Sequence, residues 1–586
     1  MVCDCYRNTM KIDVSHFKRV PMIINIYQVF SRLFQVSEGV NKPFGSRLEN
    51  GCSKFNHFTK EALLEIKNMG YTHVWFTGII RHASCSKYSE FGLTHDNESI
   101  VKGVAGSPYA IKDYYDVDPD LAVDVPNRMQ EFESLIQRCH DLNLNVLIDF
   151  VPNHVCREYK SETKPSGIPD LGANDNVDLR FSPTNNFYYL GASFELPDGI
   201  QFPYIDKNST YVEVPAKATG NDCFAVKPSI NDWYETVKLN YGLDYWNGKS
   251  PHFDPIPDTW YRMFEILDFW SSKGVDGFRV DMAEMVPVEF WNWVIKKIKQ
   301  KRAGLIFLAE VYNPSLYRSY IFDGGFDVLY DKEEFYNYLR AILCGQASAK
   351  LISQCWKQQE GLGSHLLRFL ENHDEQRIAS AQFAGNAKIG FPGMILASTM
   401  HQGSVMVYFG QEIGESGSDC EGYSGSDGRT TIFDYWKIES YQKWVSNGEF
   451  NASNLSAEQQ WLRNMYSRLL QLRLANASLL QSSFYDLMWG NEHNLDSDKI
   501  YAFLRHNKSQ FWLVVINFDP LNQHVFNIYI PHHAFAIMGL GLDHFVSAKE
   551  LLFGIETIEA NVSHIIHQGI SIKIEPNSGY IFQAFL

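Results

Sequence analysis

From residue 21 onward the sequence alternates short runs of β-branched and aromatic residues with stretches whose apolar positions recur every three to four residues. The first pattern reads as a buried strand, the second as an amphipathic helix, and their alternation predicts a parallel sheet with crossover helices. Candidate strands lie at 22–29 (MIINIYQV), 71–78 (YTHVWFTG), 145–149 (NVLID), 275–281 (VDGFRVD), 305–310 (LIFLAE), 326–330 (FDVLY), 366–372 (LLRFLEN) and 405–409 (VMVYF). In TKEALLEIKNMG, Leu63, Ile66, Lys67 and Gly70 follow the helical period, and Gly70 suits a C-terminal cap. Eight such units predict the α/β class and a (β/α)8 barrel of the TIM type, with functional side chains gathered at the C-terminal ends of its strands.

Two intervals break the alternation. After the third candidate strand, roughly 100 residues rich in Pro, Gly, Asn and Asp precede the helical pattern near 259–273, far more than an ordinary βα connection. An inserted domain is expected there. Past residue 482, KIYAFLRH, QFWLVVINF, HVFNIYI and SGYIFQAF replace the helical pattern and predict a C-terminal antiparallel β-sandwich. The expected organisation is an N-terminal tail at 1–20, the barrel at 21–150 and 246–481, an inserted domain at 151–245 and a C-terminal domain at 482–586.

Hydrophobic residues at 45% and charged residues at 20% place the chain in the globular range. The formal charge of −16 disfavours nucleic acid and acidic membrane surfaces as partners. Aromatics reach 14%, and flat rings suit the apolar faces of sugars as well as ordinary cores. Ten cysteines are scattered without zinc-site spacing, so reduced thiols are expected. The first 20 residues lack the apolar core of a signal peptide, and no later run offers about 18 uncharged apolar residues. A cytoplasmic location is the expectation, or a periplasmic one if the true start lies upstream.

Candidate chemistry collects at predicted strand ends. The third strand runs into VLIDFVPNH, with Asp149, Asn153 and His154; the fourth reads GFRVD, where Arg279 and Asp281 project to the same side. The fifth ends in FLAE at Glu310 and the seventh in FLENHD at His373 and Asp374. Each has an ordinary explanation alone: a satisfied histidine, a structural ion pair, a helix-capping carboxylate. Together, Asp281, Glu310 and Asp374 must converge on one barrel mouth. Retaining glycoside cleavage needs such a set, one ionised carboxylate as nucleophile and one protonated carboxyl as acid, about 5 to 5.5 Å apart. Arg279 is expected to hold Asp281 ionised as the nucleophile. Glu310, flanked by Leu308 and Ala309 and repelled by two aspartates, is expected to be the proton-bearing acid and then the base. Asp374 would bind sugar hydroxyls and stabilise the cationic transition state.

On these segments the chain resembles the α-amylase family, glycoside hydrolase family 13: DFVPNH, GFRVD, FLAE and ENHD look like its four signature regions, in order, within roughly 21–586. The resemblance implies the same three roles for Asp281, Glu310 and Asp374. It further implies that Arg279, His154 and His373 bind the sugar at the cleavage subsite, that Asp149 and Asn153 support the site, and that Tyr109, in a Tyr-x-x-x-Asp pattern with Asp113, stacks on that sugar. Arg377 resembles an arginine that some members use on the substrate, though a helix surface would place an arginine there equally well. ETVKLNY, around Leu239 and Asn240, is similar to a weaker motif near the end of the inserted domain. No cofactor is expected for the chemistry; a calcium ion near Asn153 is common in the family, and no ligand set is assigned to one here.

The sequence departs from the family after the nucleophile, where typical members carry a Lys-His pair and this chain has Glu284 and Met285. An anion in place of a cation turns donors into acceptors, so leaving-group preference does not transfer. The leading expectation is hydrolysis of α-1,4 bonds in starch-derived glucans or malto-oligosaccharides through a covalent glycosyl-enzyme. The rival readings are transfer or isomerisation by the same residues and, further off, a noncatalytic glucan-binding protein. Linkage, chain-length preference, endo or exo action and oligomeric state stay open.

Overall fold

The computed structural model describes residues 23–206, 210–554 and 557–586; the expected tail at 1–20 and the first residue of the 22–29 run lie outside them. Each of the eight runs forms a barrel strand: β1 Asn25–Phe30, β2 His73–Thr77, β3 Asn145–Phe150, β4 Gly277–Val280, β5 Ile306–Ala309, β6 Val328–Tyr330, β7 Leu366–Arg368 and β8 Ser404–Tyr408. All neighbours are parallel and the ring closes in the order β1, β8, β7, β6, β5, β4, β3, β2. Both faces of such a sheet are covered, which is why the strands read as continuous apolar runs. Ile26, Trp75, Leu147, Leu308, Leu367 and Met406 form one buried cluster, while Val74, Phe278, Phe307 and Val407 belong to the larger cluster.

The crossover helix Lys60–Asn68 begins where the Thr59 side chain accepts a hydrogen bond from the Ala62 amide at 3.3 Å, and it buries Ala62, Leu63 and Ile66. Gly70, at φ +101°, turns the chain out of it. β4 and β5 are shorter at their C-terminal ends than the apolar runs predict. β4 stops at Val280 and β5 at Ala309, so Asp281 and Glu310 are the first residues beyond the ladder, free to face the mouth.

A long excursion follows β3 and returns to the helix Asp258–Ser272. Its end is tied to its start by an antiparallel pair, in which His154 lies opposite Lys238 and Cys156 opposite Thr236. After the barrel come β9 Ser483–Asp486, β10 Ile500–His506, β11 Gln510–Asn517, β12 His524–Ile528, β13 Phe545–Glu550, β14 Thr557–Asn561, β15 Ile570–Ile574 and β16 Ser578–Phe585. Six make an antiparallel sheet ordered β9, β10, β11, β16, β13, β14, and β12 pairs with β15. Short helices at Met488–Asn491, His532–Met538 and Val562–His567 interrupt this region, contrary to the expectation that helices end near 482. They are too short to display a helical period. At Gly579 an added Cβ would meet Ile395 Cδ1 at 2.8 Å, so glycine lets β16 lie against the buried helix Phe391–Thr399 of the barrel. Eight cysteines among the described residues are free thiols. No helix among the described residues is long and apolar enough to cross a membrane.

Candidate active site

The site is organised by Arg279, fully buried on β4. One terminal nitrogen of its guanidinium lies 2.8 Å from Asp281 Oδ1 and 3.5 Å from Asp149 Oδ1, and the other lies 2.8 Å from Glu310 Oε2. Its Nε donates to Tyr330 Oη at 3.2 Å. Trp75, Tyr109 and Tyr330 surround it with ring centroids 5.3, 5.3 and 5.5 Å away. Only a permanently charged planar fork can hold two carboxylates in this way. Beyond Asp281 the chain turns sharply: Met282 adopts φ 43°, ψ 43°, a left-handed conformation that costs a side-chain-bearing residue roughly 1–3 kcal/mol. That turn aims the Met282 amide at Glu310 Oε2, 2.8 Å away. Asp281 Oδ2, by contrast, is buried and has no hydrogen-bond partner among the described residues.

Glu310 Oε1 accepts from the Tyr312 hydroxyl at 2.5 Å. Tyr312 follows Glu310 by two residues, a spacing visible in the sequence that suits two side chains on the same side of an extended chain. Glu284 explains how Tyr312 is held: its carboxylate accepts from the backbone amides of Tyr312 at 3.1 Å and Asn313 at 3.0 Å. The anion that replaces the family's cation is thus engaged by backbone and braces the loop behind the acid.

Asp374, beyond β7, is 38% exposed in its side chain, and its Oδ2 lies 3.1 Å from His373 Nε2. The same His373 nitrogen is 2.5 Å from the Tyr109 hydroxyl, and Gln28 Nε2 holds Nδ1 at 2.9 Å. Burial lowers the pKa of His373 to about 3, with Arg279 adding to the effect. Burial likewise takes His154 to about 3, helped by Lys238 and Lys102. Both imidazoles are therefore neutral hydrogen-bonding groups rather than cations.

The expectation that Arg279 alone keeps Asp281 strongly acidic does not hold. Burial pushes the Asp281 carboxyl well above its ordinary range and the charge of Glu310 pushes it further, while Arg279 opposes both. The reason is geometric: Arg279 is shared among Asp281, Glu310 and Asp149 instead of serving one partner. Asp149 is raised to about 6, by burial first and against the pull of Arg279 and Trp75. Burial thus raises both aspartates despite the guanidinium beside them, because its charge is divided among several partners.

A cavity of about 360 Å³ opens on this constellation, lined by Asp281, Glu310, Asp374, Tyr109 and His154 among the predicted residues. It sits at the lower end of the roughly 300–1,000 Å³ usual for ligand pockets. Arg279, His373, Asp149 and Asn153 stand behind that lining, holding the residues in it. Arg377 must be corrected. It is fully buried away from the lining, its NH1 donating to Glu371 at 2.9 Å and to the Phe409 carbonyl at 2.9 Å, and its Nε to Thr430 at 2.8 Å. Three internal acceptors hold its Nε and one terminal nitrogen and the Tyr408 ring lies 4.1 Å away, so it braces the loops after β7 and β8. Residues that line the cavity without having been predicted include Lys102, Trp233, Glu235, Tyr312 and Phe433.

Where calcium was considered, the structure has a lysine. Lys238 Nζ donates to Asn153 Oδ1 at 2.7 Å and pairs with Asp222 Oδ1 at 2.6 Å, fully inside the protein. Asn153 uses its amide on the Gly220 carbonyl at 2.7 Å. The chain thus supplies its own cation at Asn153, and among the described residues no group of three or more His, Cys, Asp or Glu is arranged to hold a metal.

Comparison with known proteins agrees with this architecture. The family model described as alpha amylase, catalytic domain, matches residues 59–482. An alpha-amylase of Streptomyces lividans is 24% identical over 482 residues, covering 76% of this chain and 48% of that protein. An alpha-1,4-glucan:maltose-1-phosphate maltosyltransferase of Cereibacter sphaeroides is 26% identical over 473 residues, covering 76% of this chain and 64% of its own. The chain therefore spans about half of the first relative and under two thirds of the second. A maltogenic alpha-amylase of Thermotoga neapolitana has the same fold, with a TM-score of 0.61 at 19% identity, over 96% of this chain and 99% of that one.

Proposed function

The chain belongs to the alpha-amylase family, and from that premise we propose that it is a retaining glycoside hydrolase acting on α-1,4 bonds of starch-derived glucans or malto-oligosaccharides. The observation that carries the reading is the single Arg279 guanidinium bridging Asp281 and Glu310 at 2.8 Å each, beside a cavity at the C-terminal end of the barrel. Carboxyl groups held by one guanidinium suit direct attack; an inverting pair needs about 6.5–9.5 Å to admit a water between them.

In the first step Asp281 Oδ2, the oxygen that Arg279 leaves free, attacks the anomeric carbon. The bond to the leaving oxygen breaks and Glu310 gives that oxygen its proton. In the second step Glu310 takes a proton from water, the hydroxide bonds to the anomeric carbon, and Asp281 is released as the carboxylate. Two displacements at one carbon retain its configuration. Asp374, held from behind by the neutral His373, faces the developing positive charge and the sugar hydroxyls, Tyr109 stacks on the ring, and His154 adds a neutral hydrogen-bonding edge.

Transfer to a second sugar uses the same intermediate, and the 26%-identical relative named as a maltosyltransferase keeps that outcome in view. Incubation with maltoheptaose, starch and pullulan, followed by product chromatography, tests the proposal. Only products shorter than the substrate are expected, whereas longer ones would assign the chain to transfer.

A further inference from the structure

Four loops meet over one side of the cavity. Lys102, in the loop after β2, forms an ion pair with Glu235 of the excursion after β3, Nζ to Oε2 at 2.9 Å; it also donates to the Asp232 carbonyl at 3.1 Å and lies 5.0 Å from the Tyr234 ring. Both charged side chains are buried, 10% and 6% exposed, and both line the cavity. The loops after β2 and β8 touch through their backbones. The Ala105 amide donates to the Phe433 carbonyl at 3.0 Å, and at Gly103, φ +73°, an added Cβ would meet that carbonyl oxygen at 2.2 Å. Outside this seam an aromatic cluster fills the gap: Phe202 stacks on Tyr204 at 5.6 Å and 3°, Tyr423 after β8 packs on Phe202 at 5.0 Å, and Phe44 after β1 lies 6.1 Å from Tyr204. Tyr204 also accepts from the Gly103 amide and donates to the Val101 carbonyl, both at 2.9 Å.

The side that is sealed follows from strand order. β1 is flanked by β2 and β8, and β5 stands halfway round the ring from it. Glu310 leaves the end of β5, and the acid of a retaining glycosidase sits beside the departing oxygen. The aglycone therefore exits toward β5, and the wall above β1, β2, β3 and β8 faces the glycone.

Resting on the hydrolase reading above, we infer that the Lys102–Glu235 wall closes the glycone side, so that the enzyme takes non-reducing chain ends and releases short glycosyl units. A chain threading through the cavity would have to break a buried ion pair and a backbone seam.

The test compares three substrates on the full-length enzyme, with products separated by chromatography: maltoheptaose, maltoheptaitol, and maltoheptaose capped at its non-reducing end by a 4,6-acetal. The first two are expected to be cut at similar rates and the capped chain at least about 100-fold more slowly. Cutting of the capped chain within about threefold of the free one would overturn the inference while leaving hydrolysis intact. Failure to cut any of the three would overturn the hydrolase reading itself. Lys102→Met with Glu235→Gln, if folded, should raise the capped-to-free ratio about tenfold; an unchanged ratio would take the assignment away from this ion pair.

Discussion

Lys238→Met is the change that most sharply tests how the loop after β3 is held. The substitution keeps the length of the side chain and deletes its charge, removing the 2.7 Å bond to Asn153 Oδ1 and the 2.6 Å pair with Asp222. Breaking a buried pair by removing one partner typically costs about 3–5 kcal/mol when the other charge is stranded. Here Asp222 is 26% exposed and keeps Lys249 at 3.3 Å and the Tyr245 hydroxyl at 3.0 Å, so the stranding is partial. Burial also disfavours the lysine's own charge, and losing that penalty offsets a further part. The expected loss is about 2–3 kcal/mol, seen as a fall of roughly 2 °C in the thermal transition followed by fluorimetry. Asn153 precedes His154 at the cavity, so KM should rise about three- to tenfold with a smaller change in kcat. Because the ammonium already occupies Asn153 Oδ1, chelator treatment of the wild type should change neither Tm nor rate. Inactivation by chelator that calcium reverses, or a Lys238→Met protein indistinguishable from wild type, would refute the reasoning.

Three further outcomes are expected. Tyr312→Phe deletes the 2.5 Å bond to Glu310 and should lower kcat/KM about 10- to 100-fold with the Tm nearly unchanged, as measured on maltoheptaose. Asp149→Asn removes a negative charge that helps raise the Asp281 carboxyl, so the acidic limb of the kcat/KM profile should move to lower pH; a move to higher pH would contradict the shared-guanidinium account. Arg377→Met strands Glu371 and should cost about 3–5 kcal/mol in thermal stability while leaving KM within about twofold, the opposite of the pattern for a substrate-binding arginine.

The barrel could be read from the chain because strands buried on both faces write themselves as unbroken apolar runs, as LIFLAE does. The carboxylates stood out because Glu310 ends such a run where charge has no structural reason to appear. What the sequence withheld depends on distance in space. Lys102 and Glu235 sit in separate loops, and nothing local announces that they meet. Lys238 looked like one more residue of a weak motif, although its ammonium sits on Asn153 across a two-stranded pair. Neither reading of Arg377, the substrate contact that the resemblance implies or a helix surface, anticipated that Glu371 turns it inward. The same limit applied to Arg279, whose nearness to Asp281 hid its equal reach to Glu310.

The central claim is that Asp281 bonds covalently to the sugar. Incubating the enzyme with a 5-fluoro-α-glycosyl fluoride, whose second step is slowed more than its first, and mapping the digested protein by mass spectrometry tests it directly. The account predicts a glycosyl ester on the peptide containing Asp281, absent from Asp281→Asn. An ester on another carboxylate, or turnover by Asp281→Asn at the wild-type rate, would contradict it.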